Sequence, residues 1–295
     1  DFHPVSMARI ELTFRQLAEY DDIANNLLTD PLLHLNVHKV NPHYRTKKVD
    51  TAFMARTVRS LASHKNLEQA VQEIIDHEEW VRSYLRRKSS EEIAGFRECV
   101  FLLLTFLYCL FDFKYELCCD LCADLCADAA GLLLRHLKRY LGMFLANAGF
   151  DVASTSRYSS GKEEVRVCAA KAWHPGDEIR LCSGYVAKLT AEEEKHLTEI
   201  SQRDFSVMFS TRKESNCLFL GPARFVNHDC NANCKFIPFG MNAVCFKAIR
   251  EIAPHDEITT FYGRDYFGVN NCECECETCE KYEKGSFLRE LLKYY

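Results

Sequence analysis

The sequence predicts an α+β protein: a helical N-terminal domain (1–147), a β-rich domain (148–265) and a cysteine-rich closing segment (266–295). Apolar residues recur at the spacing of amphipathic helices in the first half of the chain. After about residue 150, apolar residues instead alternate in short segments separated by turns, as in half-buried strands. A cluster of four cysteines near the end of the chain indicates a metal-binding tail.

Composition and charge exclude several classes of protein. The 295 residues include 37 basic and 42 acidic ones, for a net charge of −5, so strong direct DNA binding by this region is not expected. The longest apolar run, Cys99–Phe111, is too short to span a membrane. No signal-peptide pattern opens the chain, so the 16 cysteines favour a reducing compartment with metal-bound and buried thiols.

The helical domain is predicted from capping and periodicity. Thr13 and Gln16 have the spacing of a capping box, so a helix is expected to begin there. The apolar faces of two predicted helices are Leu17, Ile23, Leu27 and Leu28, and Leu67, Val71, Ile74 and Ile75. The run Ile93–Phe111 is apolar nearly all round and predicts a central, buried helix. Cysteines recur every four residues in 117–128; we interpret them as small buried residues, with a thiolate metal clip as the alternative.

The β-rich domain is predicted from alternation. Apolar residues alternate at Val165, Val167 and Ala169, and again from Ile179 through Leu181 to Ser183. Pro175–Asp177 lies between them and has turn composition, which predicts a hairpin. Thr190 and Glu193 predict the start of a short helix. Further short strands are expected at 205–210, 217–220, 234–237 and 243–249, and a helix from Ser286 onward.

The cysteines of the closing segment have metal-ligand spacing. A C-x-C-x-x-C motif occupies residues 274–279 and offers three thiolates in a compact loop. Cys272 is too close in sequence to supply the fourth ligand without a cramped chain path. Cys230 and Cys234 are therefore the candidates for a fourth ligand that would bind the tail to the domain body. Four thiolates leave no open position, so a zinc ion here would be structural; free surface thiols are the alternative.

Three motifs in order resemble one enzyme family: GPARFVNHDCNANCKF (221–236), HDEITTFYG (255–263) and the C-x-C-x-x-C motif. Together they resemble SET-domain protein lysine methyltransferases with a post-SET zinc segment. Closer similarity to the histone H4 lysine-20 methyltransferases of the Suvar4-20 subfamily extends over 11–41, 150–160, 171–213 and 266–280. The resemblance implies S-adenosyl-L-methionine as cofactor, one structural Zn²⁺, the histone H4 tail in nucleosomes as partner, and a nuclear, chromatin location.

The resemblance also implies roles for individual residues. The zinc ligands are expected to be Cys230, Cys274, Cys276 and Cys279, and Cys234 and Cys272 are not expected to bind the metal. Cofactor contacts are expected from Asn227 and His228, together with Tyr158, Ser159, Ser160, Gly161 and Gly184. The G-x-G motif usual in the superfamily is absent at 158–161.

The catalytic residues implied by the resemblance are Tyr262 and Ser206, and the substrate channel is expected to include Ser206, Thr260 and Phe261. A lysine amine must lose its proton before it can attack a methyl group, which costs about 4.6 kcal/mol at pH 7. An aromatic, dry channel favours the neutral amine. Thr260 is smaller than the Phe or Tyr that other SET enzymes place there, so we expect transfer of more than one methyl.

The sequence thus predicts methylation of lysine 20 of histone H4. A methyltransferase acting on a non-histone protein is the first alternative. A catalytically silent module that binds histone tails as a chromatin adaptor is the second. A third, a zinc-stabilised structural protein without a cofactor, predicts no response to S-adenosyl-L-methionine. Without the surrounding motif, Tyr262 would be interpreted as a core tyrosine whose hydroxyl has a hydrogen-bond partner.

Overall fold

A computed structural model describes residues 13–35, 37–38, 40–41, 44–88, 129–158, 164–200, 207–240 and 242–291. Among these residues, no helix combines the length and the apolar character that a membrane crossing requires. The predicted central helix Ile93–Phe111 and the cysteine repeat at 117–128 lie outside the described residues.

Six helices precede the strands in the described part of the chain. They are α1 Phe14–Ala24, continued by a π-helical turn Asn25–Thr29 into α2 Asp30–Leu33, then α3 Thr51–His64, α4 Leu67–His77, α5 79–88 and α6 Ala129–Gly142. The predicted capping box is confirmed, because Thr13 accepts a hydrogen bond from the Gln16 N–H and Gln16 caps the Thr13 N–H. The side chains of Asp50 and Asn66 cap α3 and α4 by accepting hydrogen bonds from the backbone N–H groups of Phe53 and Gln69.

The second half of the chain is built from short strands. A two-stranded sheet pairs β1 Phe150–Thr155 with β2 Glu164–Ala169. The other strands are β3 Glu178–Lys188, β4 Val207–Ser210, β5 Ser215–Leu220, β6 Asn227–His228, β7 Cys234–Pro238, β8 Ala243–Ala248 and β9 Thr259–Thr260. They form a sheet in the order β4-β5-β3-β8-β7-β9-β6. Helices α7 Ala191–Ile200, α8 Glu277–Lys281 and α9 Ser286–Leu291 and two 3₁₀ turns, Pro222–Phe225 and Val269–Asn271, complete the description. Thr190 caps α7 as predicted.

The predicted hairpin between β2 and β3 is wrong, although both strands exist. β2 pairs with β1, whereas β3 pairs with β5 on one side and β8 on the other. Most of the second half of β3 is buried, and a buried strand requires a hydrogen-bonded neighbour on both sides. The turn at Pro175–Asp177 instead leads toward β8, since the Gly176 N–H donates to the Ala248 carbonyl.

One hydrophobic cluster joins the helices to the sheet. It includes Tyr20 and Tyr140 from the helices and Phe150, Phe246 and Ile258 from the β-rich part, all nearly inaccessible to solvent. Helix α6 packs against α1, α4 and β3. The α+β prediction is therefore confirmed, while the division at 147/148 stays a prediction, because this core passes across it.

The parallel pairing of β6 with β9 positions the site. Asn227 lies opposite Thr259, and His228 lies opposite Thr260. This register brings the segment 221–236 beside the segment 255–263, although residues 237–254 lie between them in the sequence.

Candidate active site and metal centre

Four cysteine sulfurs meet where the tail reaches the domain body. Cys230 follows β6, and its Sγ lies 3.9 Å from the Sγ of Cys274 and 3.6 Å from that of Cys279. A tetrahedral ion with metal–sulfur bonds of 2.3 Å would hold its ligands about 3.8 Å apart. Among the described residues, Cys234 and Cys272 do not join the group of atoms able to share a metal. The ligand atoms that lie close enough together to share one ion belong to His228, Cys230, Cys274 and Cys276. Soft sulfur and imidazole donors suit zinc, and Cys279 as the fourth ligand in place of His228 stays a prediction.

Cys276 is the thiol of this cluster that ionises most easily. The Cys274 thiol donates to it, and the backbone N–H groups of Cys230 and Cys279, each 3.4 Å from its Sγ, lower its pKa to about 6. Such donors stabilise a thiolate, which is the form that binds a metal.

His228 connects the sulfur cluster to Tyr262. Its Nδ1 accepts a hydrogen bond from the Tyr262 backbone N–H at 3.1 Å, so the ring proton lies on Nε2. Nε2 faces the Cys230 Sγ at 3.3 Å. Burial lowers the pKa of His228 to about 4, so the ring is neutral near pH 7. The sequence predicted a cofactor contact at His228, but not this link between the metal ligands and the predicted catalytic tyrosine.

Polar contacts hold the rest of the tail against the body. Thr278 donates to Asp229 through both its hydroxyl, at 2.5 Å, and its backbone N–H, at 3.2 Å. Arg157 forms an ion pair with Glu280. Together with the sulfur cluster, these contacts form what we call the tail joint (Asp229, Cys230, Arg157 and residues 274–280).

A cleft of about 580 Å³ lies beside the tail joint. The predicted cofactor residues Tyr158, Asn227 and His228 line it together with Tyr262. The Asn227 amide nitrogen donates to the Val165 carbonyl and to the Glu257 carboxylate, both at 2.9 Å. These two contacts use both amide hydrogens and fix the orientation of the Asn227 side chain, so that its amide oxygen can act only as an acceptor.

Gly184 is not among the described residues that line this cleft. Gly184 lies in β3, where a Cβ would come within 2.6 Å of the Leu220 carbonyl oxygen and 2.7 Å of the Phe219 ring. Close packing therefore explains why this position is glycine, and its cofactor contact stays a prediction. Ser159, Ser160 and Gly161, as well as the predicted catalytic Ser206, lie outside the described residues.

The Tyr262 side chain lines two cavities, the cleft and a second one of about 930 Å³. Its hydroxyl donates to the Val226 carbonyl oxygen at 2.6 Å. Part of the residue is accessible to solvent, but the hydroxyl is enclosed, and this burial raises the pKa of Tyr262 well above its usual value. Tyr262 is therefore protonated at neutral pH. The Val226 carbonyl could not be found from the sequence, because every residue carries one.

The second cavity has an aromatic rim. Phe261 is 47% exposed and Phe209 is 62% exposed, and both line it. Tyr266 packs edge-on to Tyr262 with ring centroids 4.9 Å apart. Thr260 is fully buried in β9, and its hydroxyl has no hydrogen-bond partner within the described structure. Thr260 lines neither cavity, so its role in the channel stays a prediction.

The fold, the cysteine cluster and the two cavities that share Tyr262 define the class of protein, which is that of the SET-domain proteins. The sequence profile of the SET domain matches residues 43–263, and the chain belongs to the SET domain family.

Relatives narrow the family further. Histone-lysine N-methyltransferase Suv4-20 of Caenorhabditis elegans is 30% identical over 97% of this chain and 86% of its own length. Histone-lysine N-methyltransferase set9 of Aspergillus fumigatus is 33% identical over 92% of this chain but only 38% of its own length. The set9 enzyme of Schizosaccharomyces pombe is 45% identical over 52% of this chain and 35% of its length. The chain thus spans well under half of these fungal relatives.

Proposed function

We propose that this chain is an S-adenosyl-L-methionine-dependent methyltransferase that methylates lysine 20 of histone H4 in nucleosomes. The observation that carries the proposal is Tyr262, whose side chain lines both a cleft with predicted cofactor residues and an aromatic cavity. A methyl transfer requires this kind of arrangement, with donor and acceptor approaching one point from two sides. The names of the Suv4-20 and set9 relatives support the histone-lysine substrate.

The residues of the cleft suit the cofactor. S-adenosyl-L-methionine supplies an electrophilic methyl group on a sulfonium. The Asn227 amide oxygen can accept from an ammonium group, and it is oriented by Val165 and Glu257. The rings of Tyr158, Phe225 and Phe267 line the same cleft, and aromatic faces attract a cation.

On the other side, the second cavity would receive the lysine. Removal of the amine from water within this cavity would favour the neutral amine over the ammonium, which recovers part of the roughly 4.6 kcal/mol that deprotonation costs at pH 7. The Tyr262 hydroxyl gives its hydrogen to the Val226 carbonyl. Its oxygen lone pairs are then available to accept a hydrogen bond from the amine and to orient it. In this mechanism Tyr262 acts by alignment and not as a strong base.

The metal would serve the structure only. Cys230, Cys274, Cys276 and Cys279 supply four sulfur ligands, which leaves no open position for substrate. We propose one Zn²⁺ there, which orders the tail that closes the cleft. We further propose a nuclear, chromatin location, with the net charge of −5 suited to a basic histone tail and not to tight DNA binding by this region.

The direct test is mass spectrometry of recombinant nucleosomes incubated with the protein and S-adenosyl-L-methionine. We expect methylation at lysine 20 of histone H4, and Tyr262→Phe should lower kcat by about 10²–10³-fold, as loss of an aligned polar group in an active site does. Tyr282→Phe is the matched control, because Tyr282 is exposed in the tail and should leave activity unchanged. Cofactor binding without methylation of any histone would favour the non-histone substrate first and the silent adaptor second.

The number of methyl groups transferred is a second test. We propose that more than one is added, since the residue at position 260 is small. Thr260→Phe should shift the product toward fewer methyl groups per lysine, read from the same mass spectra. Thr260→Ser is the control that keeps the hydroxyl and should leave the product unchanged. An identical product distribution for Thr260→Phe and wild type would contradict the channel role of Thr260.

A further inference from the structure

Asp21 is a buried carboxylate of helix α1, only 3% exposed, that joins distant parts of the chain. Its Oδ1 accepts hydrogen bonds from His136 Nε2 at 3.0 Å and from the Tyr140 hydroxyl at 2.6 Å, both on α6. The same oxygen accepts from the backbone N–H of Gly221 at 3.0 Å. Asp21 therefore ties two N-terminal helices to the turn that leads into Asn227.

Arg224 strengthens this link. Its Nη1 lies 3.4 Å from the other Asp21 oxygen, and each of the two side chains is 4% exposed. A second nitrogen of Arg224 donates to the Val37 carbonyl. Both Arg224 and Val37 line the proposed cofactor cleft. We call these contacts the helix joint (Asp21, Val37, His136, Tyr140, Gly221 and Arg224).

Charge complementarity and hydrogen bonds hold the joint together. The positive charge of Arg224 and hydrogen bonds from His136 and Tyr140 outweigh burial and hold the pKa of Asp21 well below its usual value, so the carboxylate is ionised. His136 is buried, which lowers its pKa and leaves it neutral near pH 7. The negative charge that faces Arg224 in this network therefore comes from Asp21. An arginine left in a buried site without its partner moves or brings in water, because an uncompensated buried charge is costly.

We propose that Asp21 is a positioning residue for the cofactor, so that the N-terminal helices set the affinity of the cleft. Asp21 fixes the Gly221 backbone and the Arg224 side chain at the two ends of one turn. That turn supplies one wall of the cleft and immediately precedes Asn227 and His228. This inference rests on the proposed function, since it takes the cleft to be the site of S-adenosyl-L-methionine.

The test measures binding as well as turnover. Asp21→Asn keeps the size of the side chain but removes its charge. We expect it to raise the dissociation constant of S-adenosylhomocysteine, measured by calorimetry, at least tenfold. The KM for S-adenosyl-L-methionine should rise similarly, while kcat at saturating cofactor stays within about threefold of wild type. A residue that only stabilised the fold would not separate KM from kcat in this way.

Asn26→Ala is the matched control. Asn26 is buried five residues further along and exchanges two hydrogen bonds with the backbone of Lys47, without touching the cleft. We expect it to lower the melting temperature and to leave the dissociation constant within twofold. If Asp21→Asn does not fold, Tyr140→Phe removes one hydrogen bond from the same carboxylate and should weaken binding by a few-fold.

The outcomes separate the two proposals. Wild-type protein that does not bind S-adenosylhomocysteine overturns the proposed function and this inference together. Wild-type protein that binds, with unchanged affinity in Asp21→Asn or in Tyr140→Phe where only that variant folds, overturns the positioning role alone. The positioning role would also be overturned if Asp21→Asn and Asn26→Ala both weakened binding in proportion to their loss of melting temperature.

Discussion

The tail joint and the helix joint both border the cleft, but they are built in opposite ways. In the tail joint, three of the four sulfurs come from residues 274–279, and coordination chemistry dictates their spacing. In the helix joint, the Asp21 carboxylate accepts hydrogen bonds from donors that lie 115, 119 and 200 residues away in the sequence. The first kind of joint leaves a motif in the sequence, whereas the second leaves one ordinary aspartate in a helix.

The two joints should also differ in what breaks them. We propose that the tail joint depends mainly on a metal, while the helix joint depends on a buried ion pair and hydrogen bonds within the chain. Removing the metal should therefore release the tail and spare the helices. Changing the pH should act mainly among the helices, where His38, a neighbour of the helix joint and not a member of it, carries a charge.

Metal removal is expected to have the largest effect. Structural zinc contributes about 10–16 kcal/mol in small peptides, so a strong chelator should abolish methylation and expose residues 266–291 to protease. Helical circular dichroism should change little, and added Zn²⁺ should restore activity. Cys279→Ser should reproduce the loss, and Cys272→Ser, which alters a cysteine outside the cluster, should not. Full activity after chelation, with no bound metal by elemental analysis, would contradict a zinc-dependent tail.

Raising the pH is expected to weaken the helical part by a smaller amount. Both nitrogens of the buried His38 ring face carboxylates, Asp22 at 2.7 Å and Asp30 at 2.9 Å. Burial opposes the charge, but these two hydrogen bonds outweigh it and raise the pKa of His38 to about 9. Burial also raises the pKa of Asp22, which favours the uncharged carboxyl and so opposes the ion pair with His38. We base the prediction on His38, because both its ring nitrogens are engaged.

The sign follows from the raised pKa. The stabilisation from charged His38 is fully present below pH 6.5 and is lost as the pH rises to about 9. The free energy of unfolding should therefore fall over this range by up to about 3 kcal/mol, measured by urea denaturation. His38→Gln should flatten this dependence. His174→Gln is the control, because His174 and its partner Glu251 are both 68% exposed. An identical pH profile for His38→Gln and wild type would exclude His38 as the source.

An exposed ion pair between two helices should have the smallest effect. Lys138 on α6 lies 2.6 Å from Glu68 on α4, whose side chain is 74% exposed. Water screens such pairs, so Glu68→Gln should change the free energy of unfolding by less than about 1 kcal/mol and leave cofactor affinity unchanged. A loss of affinity as large as that expected for Asp21→Asn would show that any contact among the helices affects the cleft. The specific role of the helix joint would then fail.

Much of the local structure could be predicted from neighbouring residues. The capping box at Thr13, the start of α7 at Thr190 and several short strands are confirmed, because caps and alternation depend on positions a few residues apart. The pairing of β3 could not be predicted in this way. Its neighbours β5 and β8 follow from burial on both sides, which the turn at Pro175–Asp177 does not encode.

The sequence by itself determined the family, which is written in short motifs with fixed spacing, and it predicted the sulfur ligands from the C-x-C-x-x-C spacing together with the family resemblance. It also determined Tyr262 as the residue to test. The tertiary structure decided that Tyr262 meets the Val226 carbonyl, that His228 reaches Cys230, and that Asp21 borders the cleft. The reason is physical: ligand spacing is a property of a short segment, whereas the partners of a buried polar group depend on which distant segments the hydrophobic core brings together.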